Sequence, residues 1–434
     1  MLQEDALVGA RRRVPERRAI VLAFGVMMLT VGLAEPFGIV NVPILYMLKD
    51  DLGLRPSSVA IFEAIVLAPV YLGFLFGFLR DRWQPFGLGD RAYILMAAPL
   101  AMCGYALLAA LEMSYATLLG VAFVVMIAFQ FITTAVQASL TVVAQRHART
   151  GGRSAIGEIV EVAPKIIALG AGGWLVAYVS PSMTFAIAAA LTAAIALQAL
   201  WGPQAIFARL EATSTASEGP WAALRRLMRH PPLWPTIGIL FLWNFAPGWE
   251  TPLFYYLSEG VGISSQAFGL CKAINLGAIA VTALLYGYMC ERYALKRLLI
   301  WAVAINTLPG LLFLLIYDAS GAVAVSAIVG LACGLGNVAV FDLLLRSCPK
   351  DLEGTATMLG LAALTAADVA GDLFGSYTFE QGGFLPCLVL DALATVLILP
   401  LLQRLPVSVL NSREGEQPAE PNDDDQNQPA ATVV

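Results

Sequence analysis

Charged residues are scarce in this chain, although they dominate the surfaces of soluble proteins. Only 13% of its 434 residues are Asp, Glu, Lys or Arg, whereas 59% are hydrophobic and the mean hydropathy is +0.74. Soluble domains carry about 25% charged residues, and a soluble protein of this composition would expose large apolar patches. The composition therefore excludes an ordinary soluble domain and predicts a membrane protein.

Metal-binding and redox-active residues are also sparse. The chain has two histidines, His147 and His230, and both lie in polar connections. Its six cysteines are scattered, with none of the spacings typical of zinc sites or redox pairs. The sequence contains no Walker motif, nucleophile–base pair or cofactor motif. We therefore expect no metal, no cofactor, no nucleic-acid partner and no enzymatic activity, and we exclude a pump driven by nucleotide hydrolysis.

Twelve apolar stretches are each near the roughly 20 residues that a bilayer-spanning helix requires. Their predicted bounds are 19–48, 57–79, 92–113, 115–144, 154–178, 181–201, 234–258, 266–289, 297–316, 321–346, 354–377 and 384–403. Pro36 and Pro43 lie within the first stretch and predict a kinked or tilted helix there. The chain is thus predicted to be an all-α polytopic membrane protein with about 12 transmembrane helices.

The basic residues predict the orientation of these spans. Nearly all Lys and Arg lie in the amino-terminal segment and in every second connection after it, whereas the opposite connections hold only Lys49 and Arg55. Cytoplasmic loops carry the excess of basic residues in membrane proteins. Both termini are therefore predicted to be cytoplasmic, and we expect a multi-pass protein of the bacterial inner (plasma) membrane.

Polar segments divide the chain into five parts. The longest polar break contains an arginine-rich stretch, 221–229, whose helical apolar spacing predicts a helix lying at the membrane interface. The predicted parts are a basic cytoplasmic segment at 1–18, a six-helix half at 19–201, a cytoplasmic linker at 202–232, a second six-helix half at 233–404 and a disordered acidic tail at 405–434.

A glycine, an acid and an arginine recur after the second span and after the eighth. These residues are Gly77, Asp81, Arg82 and Arg91 in the first half and Gly287, Glu291 and Arg292 in the second. Internal repeats of this kind are typical of transporters, whose substrate site lies between the repeats.

The spacing Gly77-x-x-x-Asp81-Arg82, together with the six-plus-six layout, resembles the cytoplasmic loop motif of the major facilitator superfamily. The resemblance implies the major facilitator fold. It also implies a conformational latch that holds the cytoplasmic ends of the two halves together in the outward-facing state. The residues assigned to this latch are Gly77, Asp81, Arg82, Arg91, Glu291 and Arg292.

A narrower resemblance is to the folate–biopterin transporter family, whose relatives include the muropeptide permeases. The stretches that carry it are YMLKDDLGL at 46–54, DRWQPFGLGDR at 81–91, PLFYYLS at 252–258, GISSQAFG at 262–269 and CPKDLEGT at 348–355. The family has acidic residues in span four, where this chain has Gln137. Because glutamine cannot take a proton, the resemblance leaves the substrate or the coupling of this chain open at that position.

Ionisable side chains within the predicted spans are costly, at about 2.5–3.5 kcal/mol each on insertion scales. In span five, Lys165 follows Glu161 by one helical turn and Glu158 by two. Lys165 could hold an anionic group of a substrate while a nearby carboxylate exchanges protons. Alternatively, Glu161 and Lys165 form a buried pair that only locks helices together.

Other acidic side chains are also predicted inside spans. Asp368 and Asp372 lie four residues apart on one face of span eleven, so their charges would repel and one would be protonated more readily. The alternative is a hydrogen bond from another helix's backbone. Lys272 lies near the outer end of span eight, where snorkelling accounts for it. The residues predicted for proton coupling are Glu161, Glu158, Glu35, Glu63, Asp368 and Asp372.

Uncharged polar and aromatic side chains complete the predicted site. Span four carries a polar stripe that could bind a heterocycle or simply join helices, and span seven concentrates aromatics that could line a pocket or form an interfacial belt. The residues predicted to bind substrate are Lys165, Gln137, Thr134, Gln130, Asn244, Trp249 and Asn337.

These patterns favour a secondary active or facilitative transporter that works by alternating access as a monomer in the lipid bilayer. The first hypothesis for its cargo is a folate- or pterin-like organic anion, with protons as the candidate coupling ion. A muropeptide or another organic anion is the alternative. A rival hypothesis is a membrane-complex assembly factor on the same fold, which would need a lipid-exposed docking face rather than a solvated cavity.

Overall fold

A computed structural model describes residues 22–83, 85–147, 153–201, 225, 229–348, 353–406 and 409–410. Helices dominate this part of the chain, and no strand occurs among the described residues. The first nine α-helices are α1 Leu22–Ala34, α2 Asn41–Tyr46, α3 Pro56–Val66, α4 Ala68–Tyr71, α5 Gly73–Arg82, α6 Asp90–Ala110, α7 Tyr115–His147, α8 Arg153–Tyr178 and α9 Pro181–Trp201. The remaining ones are α10 Leu233–Asn244, α11 Thr251–Tyr255, α12 Ser265–Cys290, α13 Leu295–Asn306, α14 Ala319–Ser347, α15 Glu353–Gly382, α16 Phe384–Val396 and α17 Ile398–Leu402.

Eight described stretches are long and apolar enough to cross a bilayer. They are Asp90–Ala110, Tyr115–Gln137, Pro181–Trp201, Ser265–Cys290, Leu295–Leu315, Ala319–Ser347, Ala356–Gly382 and Phe384–Leu402. The shorter apolar helices Leu22–Ala34, Pro56–Val66, Val162–Tyr178 and Leu233–Asn244 lie where the sequence predicts spans one, two, five and seven. The all-helical membrane fold is therefore confirmed, whereas the count of twelve crossings and the side of the termini stay predictions.

The first and seventh predicted spans are each broken near their middle. Residues 35–40 separate α1 from α2, and residues 245–250 separate α10 from α11. Pro36 and Pro247 lie in these breaks, and proline removes a backbone donor that a continuous helix would use. At Gly38 a Cβ would lie only 2.4 Å from the Leu33 carbonyl oxygen, so this turn requires glycine. The kink expected in span one is present, and span seven has one that the sequence analysis did not predict.

Two glycines allow helices α8 and α12 to pack backbone against backbone. A Cβ on Gly173 would lie 2.4 Å from the Ser265 carbonyl oxygen and 3.0 Å from the Cα of Gly269. Small residues of this kind let membrane helices approach closely, because apolar side chains gain nothing by leaving lipid. This contact joins the amino-terminal part of the chain to the carboxy-terminal part.

Further contacts between these two parts cluster at one end of the molecule. The backbone N–H of Ser57 donates to a carboxylate oxygen of Glu380 at 2.8 Å, and the ring of Tyr46 meets that of Phe254 edge-on with centroids 5.0 Å apart. Lys49 lies 3.8 Å from Glu259 across the same boundary. We call this end, with its connections 47–55 and 256–264, the closed end.

Candidate functional site

A cavity of about 450 Å³ lies between helices from both parts of the chain. This volume is within the range of roughly 300–1,000 Å³ that small-molecule sites occupy. The broken segment 245–250 forms one wall, where Ala246, Gly248 and Trp249 line the cavity. Irregular backbone is tolerated at membrane depth where it lines a cavity, and discontinuous helices form the substrate sites of many transporters. We call this space the central cavity.

Five ionisable side chains line the central cavity. They are the carboxyls of Glu63, Glu250, Asp368 and Asp391 and the ammonium of Lys272. In the part of the chain that the structure describes, no side chain or backbone group donates a hydrogen bond to the carboxyl of Glu63, Asp368 or Asp391, and no cation pairs with them. The cavity is therefore rich in acid, and its described lining contains one lysine.

Lys272 turns inward rather than toward the membrane surface. Its Nζ lies 2.5 Å from an Oε of Glu250, and its side chain is only 16% exposed. The sequence analysis attributed Lys272 to snorkelling near a helix end, and the structure corrects that interpretation. The reason is that Glu250, placed by the break in span seven, offers a carboxylate partner inside the protein, which a position on helix α12 alone does not reveal.

Asp372 lies behind the wall of the cavity and is 7% exposed. Its two carboxylate oxygens accept hydrogen bonds from the backbone N–H of Thr251 at 2.8 Å and from the hydroxyl of the same residue at 2.9 Å. The first N–H groups of a helix have no partner within the helix, so this carboxylate stabilises the start of α11. Asp368, four residues earlier, faces the cavity instead. A role for Asp372 in proton coupling stays a prediction.

Aromatic side chains form the apolar surface of the cavity. The Trp249 ring packs edge-on against that of Phe313, with centroids 5.9 Å apart. The Trp243 indole N–H donates to the Asn337 side-chain oxygen at 2.7 Å, and this bond orients the amide. Asn244 donates to the Leu240 carbonyl at 2.9 Å. Three of the predicted substrate residues, Asn244, Trp249 and Asn337, thus line one cavity.

A smaller cavity of about 60 Å³ brings together another part of the predicted set. Glu35, Thr133, Gln137 and Lys165 line it. Within the described residues, no hydrogen bond or ion pair involves the Lys165 side chain. The side chains of Glu158 and Glu161 lie outside what the structure describes, so the predicted pair with Lys165 stays a prediction.

The polar stripe of span four is divided by the structure. The Thr133 hydroxyl donates to the Phe129 carbonyl at 2.8 Å, as helical threonines commonly do. Gln130 approaches the sulfur of Met126 at 3.9 Å. Neither Gln130 nor Thr134 lines the central cavity or the smaller one. Their predicted contact with substrate therefore has no support in these two cavities.

The latch predicted from the repeated signature lies at the end opposite the closed end. The side chains of Asp81 and Arg82 are outside what the structure describes. Among the described latch residues, a Cβ on Gly77 would meet nothing within 4 Å, and Arg292 covers the ring of Tyr288 at 4.0 Å. Arg91 and Glu291 lie near the same end, so the latch stays a prediction.

An ion pair beside the signature was missed in the sequence. The Arg80 guanidinium holds the Asp90 carboxylate through two hydrogen bonds of 2.8 Å each, and Asp90 is buried. This fork geometry is among the stronger ion pairs and joins α5 to the start of α6. By contrast, the pair between Asp342 and Arg346, four residues apart, forms as its spacing predicts, with Tyr286 donating to the same carboxylate at 2.6 Å.

Lys272, Glu250 and Asp391 were absent from the predicted site. The sequence does contain a pattern that points to Lys272. The segment around spans one and two recurs around spans seven and eight, and matching residues are always the same number of positions apart in the sequence. The matching pairs are Pro43 with Pro252, Tyr46 with Tyr255, Gly53 with Gly262, and Glu63 with Lys272. Both copies contain a π-helical turn that is followed by a glycine with positive φ, a conformation that glycine adopts readily. Because Glu63 was a candidate in the first copy, its equivalent in the second copy, Lys272, could have been identified as a candidate too.

Within the described residues, no group of three or more His, Cys, Asp or Glu side chains has the geometry to hold a metal ion. The chemistry that the central cavity offers is hydrogen bonding, ion pairing, proton binding and stacking on aromatic rings.

Comparison with known proteins gives a consistent result. The family model of the Major Facilitator Superfamily matches residues 20–360 and 248–431. A folate-biopterin transporter from Synechocystis sp. is 25% identical over 406 residues, which cover 85% of this chain and 78% of that protein.

Solved structures share the fold at lower identity. The nucleoside transporter NupG superposes with a TM-score of 0.72 at 14% identity, covering 89% of this chain and 99% of its own. A POT family transporter in complex with a peptide gives 0.68 at 13% identity, covering 89% and 96%. The inward open conformation of the xylose transporter XylE from E. coli gives 0.64 at 14% identity, covering 90% and 96%. At these identities the structures establish the architecture alone.

Proposed function

Because this chain belongs to the major facilitator superfamily, we propose that it carries a small organic solute across the membrane by alternating access through the central cavity. The chain is an integral membrane transporter and not an enzyme. The single observation that carries the proposal is the central cavity, in which side chains from both parts of the chain surround a space of small-molecule size.

The state of the transport cycle follows from the closed end. Tyr46, Ser57 and Glu380 hold the two parts together there. With the orientation predicted from the basic residues, the closed end faces the outside, so we assign the structure to a state of the cycle that is closed on the outside. Rocking of the two parts about the central cavity would open this end, as alternating access requires.

The first candidate for the solute is a folate- or pterin-like organic anion. The Synechocystis relative carries that name, and the cavity has matching chemistry. Trp249 and Phe313 offer faces for a planar heterocycle. Carboxyls such as Glu63 and Asp368 can accept from the N–H groups at a heterocycle's edge, and Lys272 can hold an anionic group. Muropeptides and other organic anions are the alternative cargo.

Proton coupling is the second part of the proposal. Glu63 and Asp368 line the cavity without a described cation partner, and an unpaired carboxylate at membrane depth is relieved of its charge by taking a proton. Lys165, with Gln137 and Glu35 in the smaller cavity, is the candidate for a further anion contact. A polar cavity with these groups favours transport over the rival assembly role, for which a lipid-exposed docking face would be needed.

Counterflow of radiolabelled folate into proteoliposomes tests the solute assignment. We expect the wild type to accumulate label and Trp249→Ala to lose most of it, because the stacking surface is removed. Trp174→Ala is the matched control, since Trp174 is 52% exposed on the outside of the helix bundle, and it should behave as the wild type. Lys165→Ala tests the further anion contact in the same assay.

Two results would contradict the proposal. Absence of counterflow in folded wild-type protein would remove folate as cargo, and the assay would then be repeated with muropeptides. Equal loss in Trp249→Ala and Trp174→Ala would show that the central cavity is not the binding site.

A further inference from the structure

The ion pair between Lys272 and Glu250 has two unequal partners. The lysine side chain is 16% exposed and projects from the continuous helix α12, whereas the Glu250 side chain is 49% exposed to the cavity. Glu250 also belongs to the non-helical segment 245–250. The lysine is therefore held in the wall of the cavity, and the carboxylate is the partner that is free to leave.

Lys272 differs from every other ionisable group that lines the central cavity, because it is the one cation in the described lining. An anionic group entering the cavity has no other described ammonium or guanidinium to bind there. One ammonium cannot neutralise two carboxylates, so a solute anion and Glu250 compete for it.

The groups around Glu250 determine what happens to its carboxylate when a solute anion displaces it from Lys272. Three further carboxyls lie within electrostatic range, those of Glu63 on α3 and of Asp368 and Asp372 on α15, and Asp391 on α16 lines the same cavity. Among the described residues, the one cation facing Glu250 is Lys272. A carboxylate left without its cation among these acids is disfavoured by their like charges, and taking a proton relieves it.

We propose that Lys272 is the anion contact of the central cavity and that Glu250 is its exchangeable counter-ion, which takes up one proton when an anionic group of the solute replaces it. The inference deepens the proposed function, on which it rests, by naming the ion chemistry of the same cavity. The anion forms an ion pair with the Lys272 ammonium, and a hydronium ion of the aqueous phase gives its proton to a Glu250 carboxylate oxygen, so that one O–H bond breaks, another forms and a water molecule is released.

The proposal makes proton binding depend on solute binding. Without solute, the Lys272 ammonium compensates the charge of the Glu250 carboxylate. With an anion on Lys272, Glu250 carries the accompanying proton, and both leave together when the ion pair forms again. One proton per bound anionic group would limit accumulation under a pH difference of one unit to about tenfold.

A test without any solute uses Lys272→Met as a mimic of the anion-occupied state, since both remove the cation from Glu250. Infrared spectra of the lipid-reconstituted protein near neutral pH would show the C=O stretch of protonated carboxyls. We expect Lys272→Met to gain an absorption that the double variant Lys272→Met/Glu250→Gln lacks. Lys49→Met is the matched control, because Lys49 pairs with Asp50 and Glu259 at the closed end, and it should gain no Glu250-dependent absorption.

The infrared comparison decides the proposal independently of the cargo. A Lys272→Met spectrum without a Glu250-dependent carboxyl absorption would overturn it. If Lys272→Met does not yield folded protein, Lys272→Gln carries the same comparison, with the same two outcomes.

If the wild type shows folate counterflow, a transport measurement provides a second test of the proposal. Glu250→Gln should then lose the accumulation driven by a proton gradient, falling from up to about tenfold to none at a pH difference of one unit, whereas Lys272→Met should lose folate binding as well. Proton-driven accumulation by Glu250→Gln at the wild-type level would contradict the proposal. Absence of folate counterflow in the wild type would remove only the folate assignment.

Discussion

The hydroxyl of Tyr255 donates a hydrogen bond of 2.6 Å to the main-chain carbonyl of Leu54. This bond joins the end of the broken seventh span to the connection that leads into α3, and so it crosses between the two parts of the transporter. Tyr256, the next residue, donates instead to the Phe313 carbonyl within its own part at 3.2 Å. Tyr255 thus makes a hydrogen bond that crosses the closed end, whereas the neighbouring Tyr256 makes one that does not. Comparing variants of the two tyrosines therefore isolates the effect of the crossing bond.

Tyr255→Phe should weaken the closed end. A hydrogen bond of this kind contributes about 0.5–1.5 kcal/mol net, so the ratio of the population with this end open to that with it closed should rise by a factor of roughly 2 to 13. Distance distributions between spin labels placed on the connections 47–55 and 256–264 would measure the change. Tyr256→Phe should leave the distribution as in the wild type, and an equal shift in both variants would contradict the assignment.

Asp372→Ala should lower the stability of the folded protein. It removes both acceptors of Thr251 at the start of α11 and leaves a buried N–H unsatisfied, at a cost of about 1–3 kcal/mol. Thermal unfolding in detergent would report this loss. Asp368→Ala is the matched variant four residues away, and it should leave the unfolding temperature unchanged or higher, because the Asp368 carboxyl accepts no described hydrogen bond. A stable Asp372→Ala variant that loses proton-driven transport would support the coupling role predicted from sequence.

Gly173→Ala should disrupt the packing of α8 on α12. The added methyl would lie 2.4 Å from the Ser265 carbonyl oxygen, which belongs to the backbone and cannot turn away. Overpacking of this kind costs about 1–3 kcal/mol. At Gly170, one turn earlier, the same methyl would meet the Ala273 Cβ at an ordinary 3.8 Å. Gly170→Ala should therefore unfold at the wild-type temperature, and equal melting of the two variants would exclude the close approach as the cause.

Asp318, in the connection before α14, gives a pH-dependent contribution outside the membrane spans. Its carboxylate accepts from the Ser320 hydroxyl and from the Gly321 N–H, and these bonds lower the pKa of Asp318 below its usual value. A lowered folded-state pKa stabilises the protein above the unfolded-state pKa of about 3.9, and this stabilisation is lost as the pH falls through the folded-state value. Asp318→Asn should melt slightly below the wild type at pH 7, and the difference should shrink as the pH falls from 7 to below about 3.9. A constant difference across this range would contradict the account.

The membrane class and most spans could be predicted from the sequence, because burial in lipid requires long apolar helices whatever their neighbours are. The interruptions were harder to predict. Pro36 indicated a kink in the first span, but the similar break near Pro247 was overlooked within a segment that is mostly apolar. Hydropathy does not distinguish a continuous helix from one whose broken backbone lines a cavity.

The acidic residues of the site show the same limit of prediction from sequence. Asp368 and Asp372 lie one helical turn apart and looked equivalent in the sequence. In the structure Asp368 faces the cavity, while Asp372 binds the backbone and hydroxyl of Thr251, 121 residues away along the chain. A role that depends on a partner from another helix is absent from the local pattern.

The sequence by itself determined that this protein is a bundle of helices in the membrane. The composition and length that a spanning segment needs depend only on the solvent around that segment. It also contained the repeat that relates Glu63 to Lys272. Only the tertiary structure decided which charges meet. Lys272 is paired because the break at 245–250 brings Glu250 to within 2.5 Å of it, and electrostatic interactions depend on distances in space that the order of residues does not specify.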